Sequence, residues 1–245
     1  MPYFKKYNYL FIHIPKCGGS TIEKALGDDE LSLDILNEKN HFSLKMLKSL
    51  KNKIIHRKYL SKSKVYRSIS RNLAGINGYV FLQHKTLEDI IRLNYIAIEK
   101  IKTLKILTCV RNPYSRVRSV FQYWYPYFKM DIDKFIVNAL TIPNQLPLLD
   151  IHRYHFLHQS YYIKNSLMLP VKICRLESLL SDIKKIDDDI IYNRIKATKP
   201  INNSKPINTC IKKSTIDLIY KYYRQDFLEF GYSKDSWKSY FLLEK

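Results

Sequence analysis

The chain has 245 residues, 46% of them apolar and 26% charged, a balance that builds a folded core and excludes disordered, collagen-like and disulfide-scaffold classes. It carries 42 Lys and Arg against 22 Asp and Glu, a net charge of +20. Such a charge speaks of polyanionic partners (nucleic acid, an acidic polysaccharide, a multiply charged nucleotide, a membrane surface) and not of fold. No run of about 18 apolar residues is present to cross a membrane as a helix, and the N-terminal run lacks the small-residue cleavage site of a signal peptide. Cys17, Cys109, Cys174 and Cys210 stand far apart with no C-x-x-C pair, and read as free thiols in a reducing compartment. Without internal repeats, low-complexity tracts or Gly/Ser-rich linkers, the expectation is a single domain over residues 1–245.

In chain order, Tyr7 to Ile14 is a short apolar, β-branched and aromatic run, long enough for a buried strand and too short for a helix. Pro15 ends it and Gly18-Gly19 follow. Ser20 then stands as an N-cap candidate for TIEKAL, with Glu23 three residues on as in a capping box. Tyr79 to Leu82 is a further candidate strand. Lys105 to Val110 repeats the first pattern: a buried-strand run, then Arg111-Asn112, then Pro113, a residue favoured at the first helical position. Val117, Val120, Phe121 and Trp124 give that helix an apolar face. Pro170 to Cys174 is another strand candidate. Near the C-terminus Ser214 can cap a helix with the apolar stripe Ile216, Ile219, Tyr220, Tyr223 and Phe227, for which Gly231 is a suitable stop. Strands alternating with helices predict an α/β domain with a mainly parallel sheet, whose ligands sit beyond the carboxyl ends of the strands. From Lys39 to Leu87 there is no acidic residue. This stretch predicts a basic, helical insertion at about 39–75, either a solvated helical pair or a surface for an anionic acceptor.

The stretch Ile14-Pro-Lys-Cys-Gly-Gly-Ser-Thr21 has what an oxyanion cradle needs. Gly18 and Gly19 let the backbone turn and bring N–H groups close to an anion, and the next helix points its positive end there. Lys16 adds a mobile charge, and Ser20 and Thr21 add hydroxyl donors. It is not the Walker pattern, because Lys16 precedes the glycines and no hydroxyl follows a lysine to reach Mg²⁺. An ordinary strand-to-helix turn is the plainer reading. The second constellation is Arg111-Asn-Pro-Tyr-Ser-Arg116 with Ser119 beyond it. There a guanidinium fork and a hydroxyl could grip a terminal phosphate together, or Arg111 could be a surface residue beside a helix start.

IPKCGGST resembles the 5′-phosphosulfate loop of the sulfotransferases that use 3′-phosphoadenosine 5′-phosphosulfate (PAPS), and CVRNPYSRVRSVFQY is similar to their 3′-phosphate motif, with the same arginine-to-serine spacing. The branch it most resembles contains carbohydrate sulfotransferases (heparan, chondroitin and bacterial polysaccharide enzymes) whose loop reads Ile-Pro-Lys-Thr-Gly-Gly-Thr. Weaker echoes are QHKT at 83–86, ICRLESL at 173–179 and YRQDFLEFGY at 223–232, so the resemblance spans residues 11 to about 232. It implies a P-loop-NTPase-like three-layer fold. The backbone of Cys17, Gly18, Gly19, Ser20 and Thr21 would hold the 5′-phosphosulfate. Lys16 would neutralise charge on the bridging oxygen, and Arg111 with Ser119 would hold the 3′-phosphate. The reaction implied is in-line transfer of a sulfuryl group to a hydroxyl, on a carbohydrate or polysaccharide, governed by positioning and charge stabilisation. PAP is the nucleotide product, and no metal is expected.

Cys17 departs from the family's threonine. A thiol beside a helix start and Lys16 is expected to have a lowered pKa and to oxidise readily. His84 is the candidate base for the acceptor hydroxyl, because its unperturbed pKa near 6.5 suits the task, with Glu88 as the alternative. His152, His155 and His158 invite a zinc reading, but their spacing rotates round a helix without a matching Cys or acid cluster, and packing or substrate contact is preferred. Glu177 and the Asn202–Pro206 turn are further candidates near cofactor or acceptor. Two rival functions remain at this point, an ATP-dependent kinase with a degenerate phosphate loop and a basic nucleic-acid-binding protein without catalysis. The chain begins almost directly at its first strand, without the membrane anchor of animal family members. With its Lys-, Ile- and Asn-rich composition this gives the expectation of a bacterial or viral cytoplasmic enzyme.

Overall fold

The computed structural model describes residues 3–26, 84–128, 130–141, 153–186, 188–199 and 209–244. It is an α/β fold with a mainly parallel central sheet flanked by helices. The sheet has the order β1-β2-β3-β4, formed by Tyr3–Phe4, Tyr9–Ile12, Lys105–Val110 and Val171–Arg175. β1 pairs antiparallel with β2, and β2 runs parallel to β3 with Tyr9 opposite Lys105 and Ile12 opposite Thr108. Parallel pairing explains the composition. All four residues of β2 and the last five of β3 are buried, as expected of strands covered on both faces.

The chain divides into two compact units. Among the described residues the first holds 3–13, 26, 84–108 and 163–172, and the second holds 14–25, 109–128, 130–141, 153–162, 173–186, 188–199 and 209–244. The chain passes from first to second at His13/Ile14, Thr108/Cys109 and Lys172/Ile173, each at or near the carboxyl end of a strand. In the first unit the Thr108 hydroxyl donates to the Ile12 carbonyl at 2.8 Å, a side-chain rung that locks β3 to β2. Two short helices, α2 (Leu87–Arg92) and α3 (Ile98–Ile101), precede β3. Thr86 caps α2 by accepting the Asp89 N–H.

The second unit begins with the loop and helix α1 (Gly19–Leu26), followed after β3 by α4 (Pro113–Phe128) and α5 (Ile132–Thr141). Next come α6 (Gln159–Ile163), α7 (Leu179–Lys185) and α8 (Asp189–Ala197). The chain ends with β5 (Cys210–Ile211), α9 (Lys213–Tyr222), α10 (Arg224–Glu229) and β6 (Leu242–Leu243), β5 and β6 forming a small parallel pair. α4 begins at Pro113 as expected, and its buried face of Val117, Val120, Phe121 and Trp124 meets Phe135 and Ile136 of α5 and Ile216 and Ile219 of α9 in one core.

Three expectations are corrected. α1 starts at Gly19, so Ser20 lies inside it and is exposed; the Gly18 carbonyl takes the Thr21 and Ile22 N–H groups instead. The C-terminal helix breaks at Tyr223 into α9 and α10. Ser214 does not cap α9; Asp133, projecting from α5, accepts the Lys212 N–H and the Thr215 hydroxyl. A carboxylate from another element satisfies the helix start better than the local serine, being charged and already held by α5. Gly231, with φ +69°, is the stop, and the Tyr232 N–H reaches back to the Phe227 carbonyl at 2.9 Å, the longer bond of a glycine-terminated helix end. The candidate strand 79–82, the basic stretch up to residue 83, His152 and the 202–206 turn lie outside the described residues. Because Asp133 serves both a backbone donor and a hydroxyl, Asp133→Ala is expected to lower unfolding free energy by about 1–2 kcal/mol, read as a lower midpoint in urea with an unchanged slope.

Candidate functional site

The loop after β2 turns through residues 15–18 with two residues in the left-handed region, Lys16 at φ +65° and Gly18 at φ +80°. For Gly18 this costs little, and glycine is favoured by the φ itself; a Cβ there would lie 2.6 Å from Leu176 Cδ1, a side-chain end that would have to shift. For Lys16 the same conformation is strained. The Cys17 N–H points back to the Ile14 carbonyl at 3.4 Å, and the Thr21 N–H is taken by Gly18. Among the described residues the N–H groups of Gly18, Gly19 and Ser20 have no acceptor, as the start of a helix requires unless an anion or water supplies one. The cradle is therefore narrower than the five residues expected, and it centres on the glycines.

Arg111 follows β3 directly. Its Nη1 donates to the Lys16 carbonyl at 3.1 Å and its Nε to Ser115 Oγ at 2.8 Å. The partner hydroxyl is Ser115, one helical turn in, and not Ser119, which is buried one turn further along α4 and whose hydroxyl has no partner among the described residues. Lys16 rests its Nζ over the Tyr123 ring, 4.4 Å from the centroid. Burial, and then the Arg111 guanidinium, lower the pKa of both Lys16 and Arg118. None of Lys16, Arg111 and Arg118 forms an ion pair with a carboxylate among the described residues. Arg111 thus lowers the pKa of both its cationic neighbours, and among the described residues no carboxylate pairs with any of the three, a local excess of positive charge.

Cys17 corrects the expectation of a reactive thiol. Its side chain is 1% exposed and donates to Gln159 Oε1 at 3.1 Å. Burial pushes its pKa up to about 12, with Arg116 and Arg111 opposing that rise only in part. Desolvation of the fully buried thiolate outweighs the helix start and the cations.

Behind the loop lies a polar layer of which sequence reasoning named only Glu177. Arg116 is 1% exposed; its Nε donates to the Pro15 carbonyl and its Nη1 to the Leu157 carbonyl, at 3.1 and 2.7 Å. Its guanidinium carbon lies 5.9 Å from the Tyr223 ring centroid. Asp226 is fully buried and accepts the N–H groups of Gln159 and Ser160 at 2.8 and 3.0 Å, closing the start of α6. Glu177 accepts the Asn112 N–H at 2.9 Å and the Tyr232 hydroxyl at 2.9 Å, so both of its oxygens hold protein groups. Burial, and then the Glu177 carboxylate, hold the Tyr232 phenol protonated far above the ordinary range. A signal existed for two of these residues. Arg116 shares the helical register of Val120 and Trp124, and Asp226 falls on the stripe of Ile219 and Tyr223, where a charged residue is out of place unless it is bonded.

His84 belongs to the first unit. It sits in a turn at φ +63°, its Nδ1 is 3.2 Å from the His13 carbonyl oxygen, and the two imidazoles meet edge to face at 4.8 Å. A carbonyl only accepts, so Nδ1 carries the proton and Nε2 is the basic nitrogen of the neutral ring. Glu88, the alternative base, accepts the Ser166 N–H at 2.7 Å. In the second unit His155 and His158 are packed among rings, His155 beside Tyr123, Trp124 and Tyr154 and His158 stacked on Tyr222. Among the described residues no group of three or more His, Cys, Asp or Glu is placed to hold a metal ion, and no helix is long and apolar enough to cross a membrane.

Compared with family models, curated proteins and solved structures, the chain matches none. Its function therefore rests on the residues themselves. The arrangement around Cys17 leads to a measurable expectation. With a thiol reagent at mildly alkaline pH, native protein gives one fast thiol, the exposed Cys210, while the buried Cys17, Cys109 and Cys174 react only on unfolding. A second fast thiol that is lost in Cys17→Ser contradicts the buried placement.

Proposed function

We propose that the chain is a sulfotransferase that moves the sulfuryl group of PAPS to a hydroxyl of a carbohydrate or polysaccharide acceptor, on a P-loop-NTPase-like three-layer fold. The observation that carries this reading is the meeting, in one unit, of Gly18–Ser20 N–H groups with Lys16 and the Arg111 fork, the N–H groups without an acceptor and the cations without a carboxylate among the described residues. The residues fit the group. A glycine held at φ +80° keeps the turn open beside the start of α1, and the donor set is neutral amide, ammonium, guanidinium and hydroxyl, which is the chemistry of oxyanion binding.

When bound, PAPS supplies a sulfuryl group activated by its link to a 5′-phosphate. The N–H groups of Gly18, Gly19 and Ser20 would hold the phosphosulfate end. Lys16 would leave the Tyr123 ring to balance negative charge on the departing oxygen, a role for a flexible, partly desolvated cation. Arg111, turned toward the loop, with Ser119 one turn beyond Ser115 on α4, would hold the 3′-phosphate, the group that separates PAPS from ATP. His84, with Nδ1 committed to His13, would accept the acceptor's proton at Nε2. The +20 net charge favours a polyanionic acceptor through long-range attraction.

Thermal unfolding with PAP, with ATP and Mg²⁺ and with adenosine 5′-phosphate tests the donor. At about 100 times its Kd, a ligand stabilises by about 2.7 kcal/mol, so PAP is expected to raise the melting temperature and Arg111→Ala to abolish the rise. A shift with ATP and Mg²⁺ alone points instead to a kinase. For the base, His84→Ala is expected to reduce turnover by about 10²–10⁴-fold while the PAP-induced shift persists. Near-normal turnover removes His84 from that role.

A further inference from the structure

The donor loop raises a physical problem that its own sequence does not solve. Lys16 is a non-glycine residue at φ +65°, a conformation that costs about 1–3 kcal/mol and persists only where the surroundings over-determine it. Three contacts do so. Arg116 holds the Pro15 carbonyl before Lys16, Arg111 holds the Lys16 carbonyl, and the Cys17 side chain after it bonds Gln159.

Gln159 does more than receive that thiol. It is fully buried; its Oε1 accepts the Arg111 N–H and its Nε2 donates to the Arg111 carbonyl, both at 2.8 Å. One side-chain amide thus gives Arg111 the paired bonds that a neighbouring antiparallel strand residue gives, just where the chain leaves β3. The same Oε1 uses its second lone pair on Cys17. Asp226 fixes Gln159 in turn through the N–H groups of Gln159 and Ser160.

We propose that Gln159 is a positioning residue that locks the Lys16 loop to the Arg111 strand end, and that Cys17 serves this clamp and not the ligand. The proposal rests on the sulfotransferase reading only for what is being positioned. It also accounts for the residue at position 17: a buried side chain with one donor proton is what the Gln159 oxygen needs, and a threonine hydroxyl meets the same need.

The test uses the full chain. Gln159→Met keeps the length and removes the amide; Gln159→Asn keeps the amide and cannot reach, and serves if the first variant does not fold. If the clamp keeps the loop competent, its loss to about a tenth of the population raises the PAP Kd about tenfold. The KM for PAPS should rise similarly while the acceptor KM stays put. Cys17→Ala should weaken PAP binding in the native background and add nothing in Gln159→Met, the non-additivity of two residues sharing one bond. Cys17→Thr should bind as the native chain does. Amide hydrogen exchange supplies a readout without ligand: the N–H groups of Arg111 and Cys17, which are hydrogen-bonded, should exchange faster in Gln159→Met while β2 is unchanged. If Gln159→Met binds PAP normally and Arg111→Ala does not, the clamp is overturned and the sulfotransferase reading stands. If the native chain does not bind PAP, that reading falls, and exchange alone decides the clamp, unchanged exchange at Arg111 overturning it.

Discussion

A guanidinium and a carboxylate are buried in the second unit, and each makes its hydrogen bonds to main chain. Arg116 holds the Pro15 and Leu157 carbonyls, and Asp226 holds the Gln159 and Ser160 N–H groups. Charges taken out of water are costly unless hydrogen-bonded. Asp226 bonds through both oxygens and Arg116 through Nε and Nη1, its buried Nη2 having no partner among the described residues, and the pair constrains whatever it touches. It touches the loop before Lys16 and the start of α6, and between these lies Gln159 with its grip on Arg111. The geometry of the candidate site depends on this layer more than on the loop residues themselves.

The consequence is a cluster of positive groups held in place by the protein's own bonds. Lys16, Arg111 and Arg118 lie close enough that Arg111 depresses the pKa of the other two, and the Arg111 fork is already turned to the Lys16 carbonyl. Cations without carboxylate partners among the described residues repel one another, a cost that a bound oxyanion would relieve. Donors fixed in advance pay no reorganisation when charge develops. The strained φ of Lys16 fits the same pattern, since a loop that relaxed would scatter the N–H groups of Gly18 to Ser20.

Local patterns made some of this legible. The run KILTCV is β3 to the residue, and Pro113 opens α4 because its ring presets the helical φ. The apolar face of α4 and the glycine stop at 231 are likewise where periodicity and glycine's freedom place them. What failed were the caps. Ser20 and Ser214 have the right side chains, but Gly18 in the left-handed region starts α1 and Asp133 of α5 starts α9. A cap can be supplied from any element that folds nearby, and no local pattern names that element. The reactivity expected of Cys17 failed for a related reason: neighbours along the chain indicated a cation and a helix start, while burial, which is a property of the fold, decided the pKa.

By itself, the sequence determined the strand and helix periods, the glycine turn after the first strand, the Arg111-Asn-Pro start of the long helix and the excess of positive charge, because each follows from residue types a few positions apart. Only the tertiary structure decided that Arg111 reaches the Lys16 carbonyl, that Cys17 is a buried donor, and that Gln159 and Asp226 stand behind both. Those contacts join residues 48 to 142 positions apart, and separations of that kind are set by how the elements pack and not by any spacing along the chain.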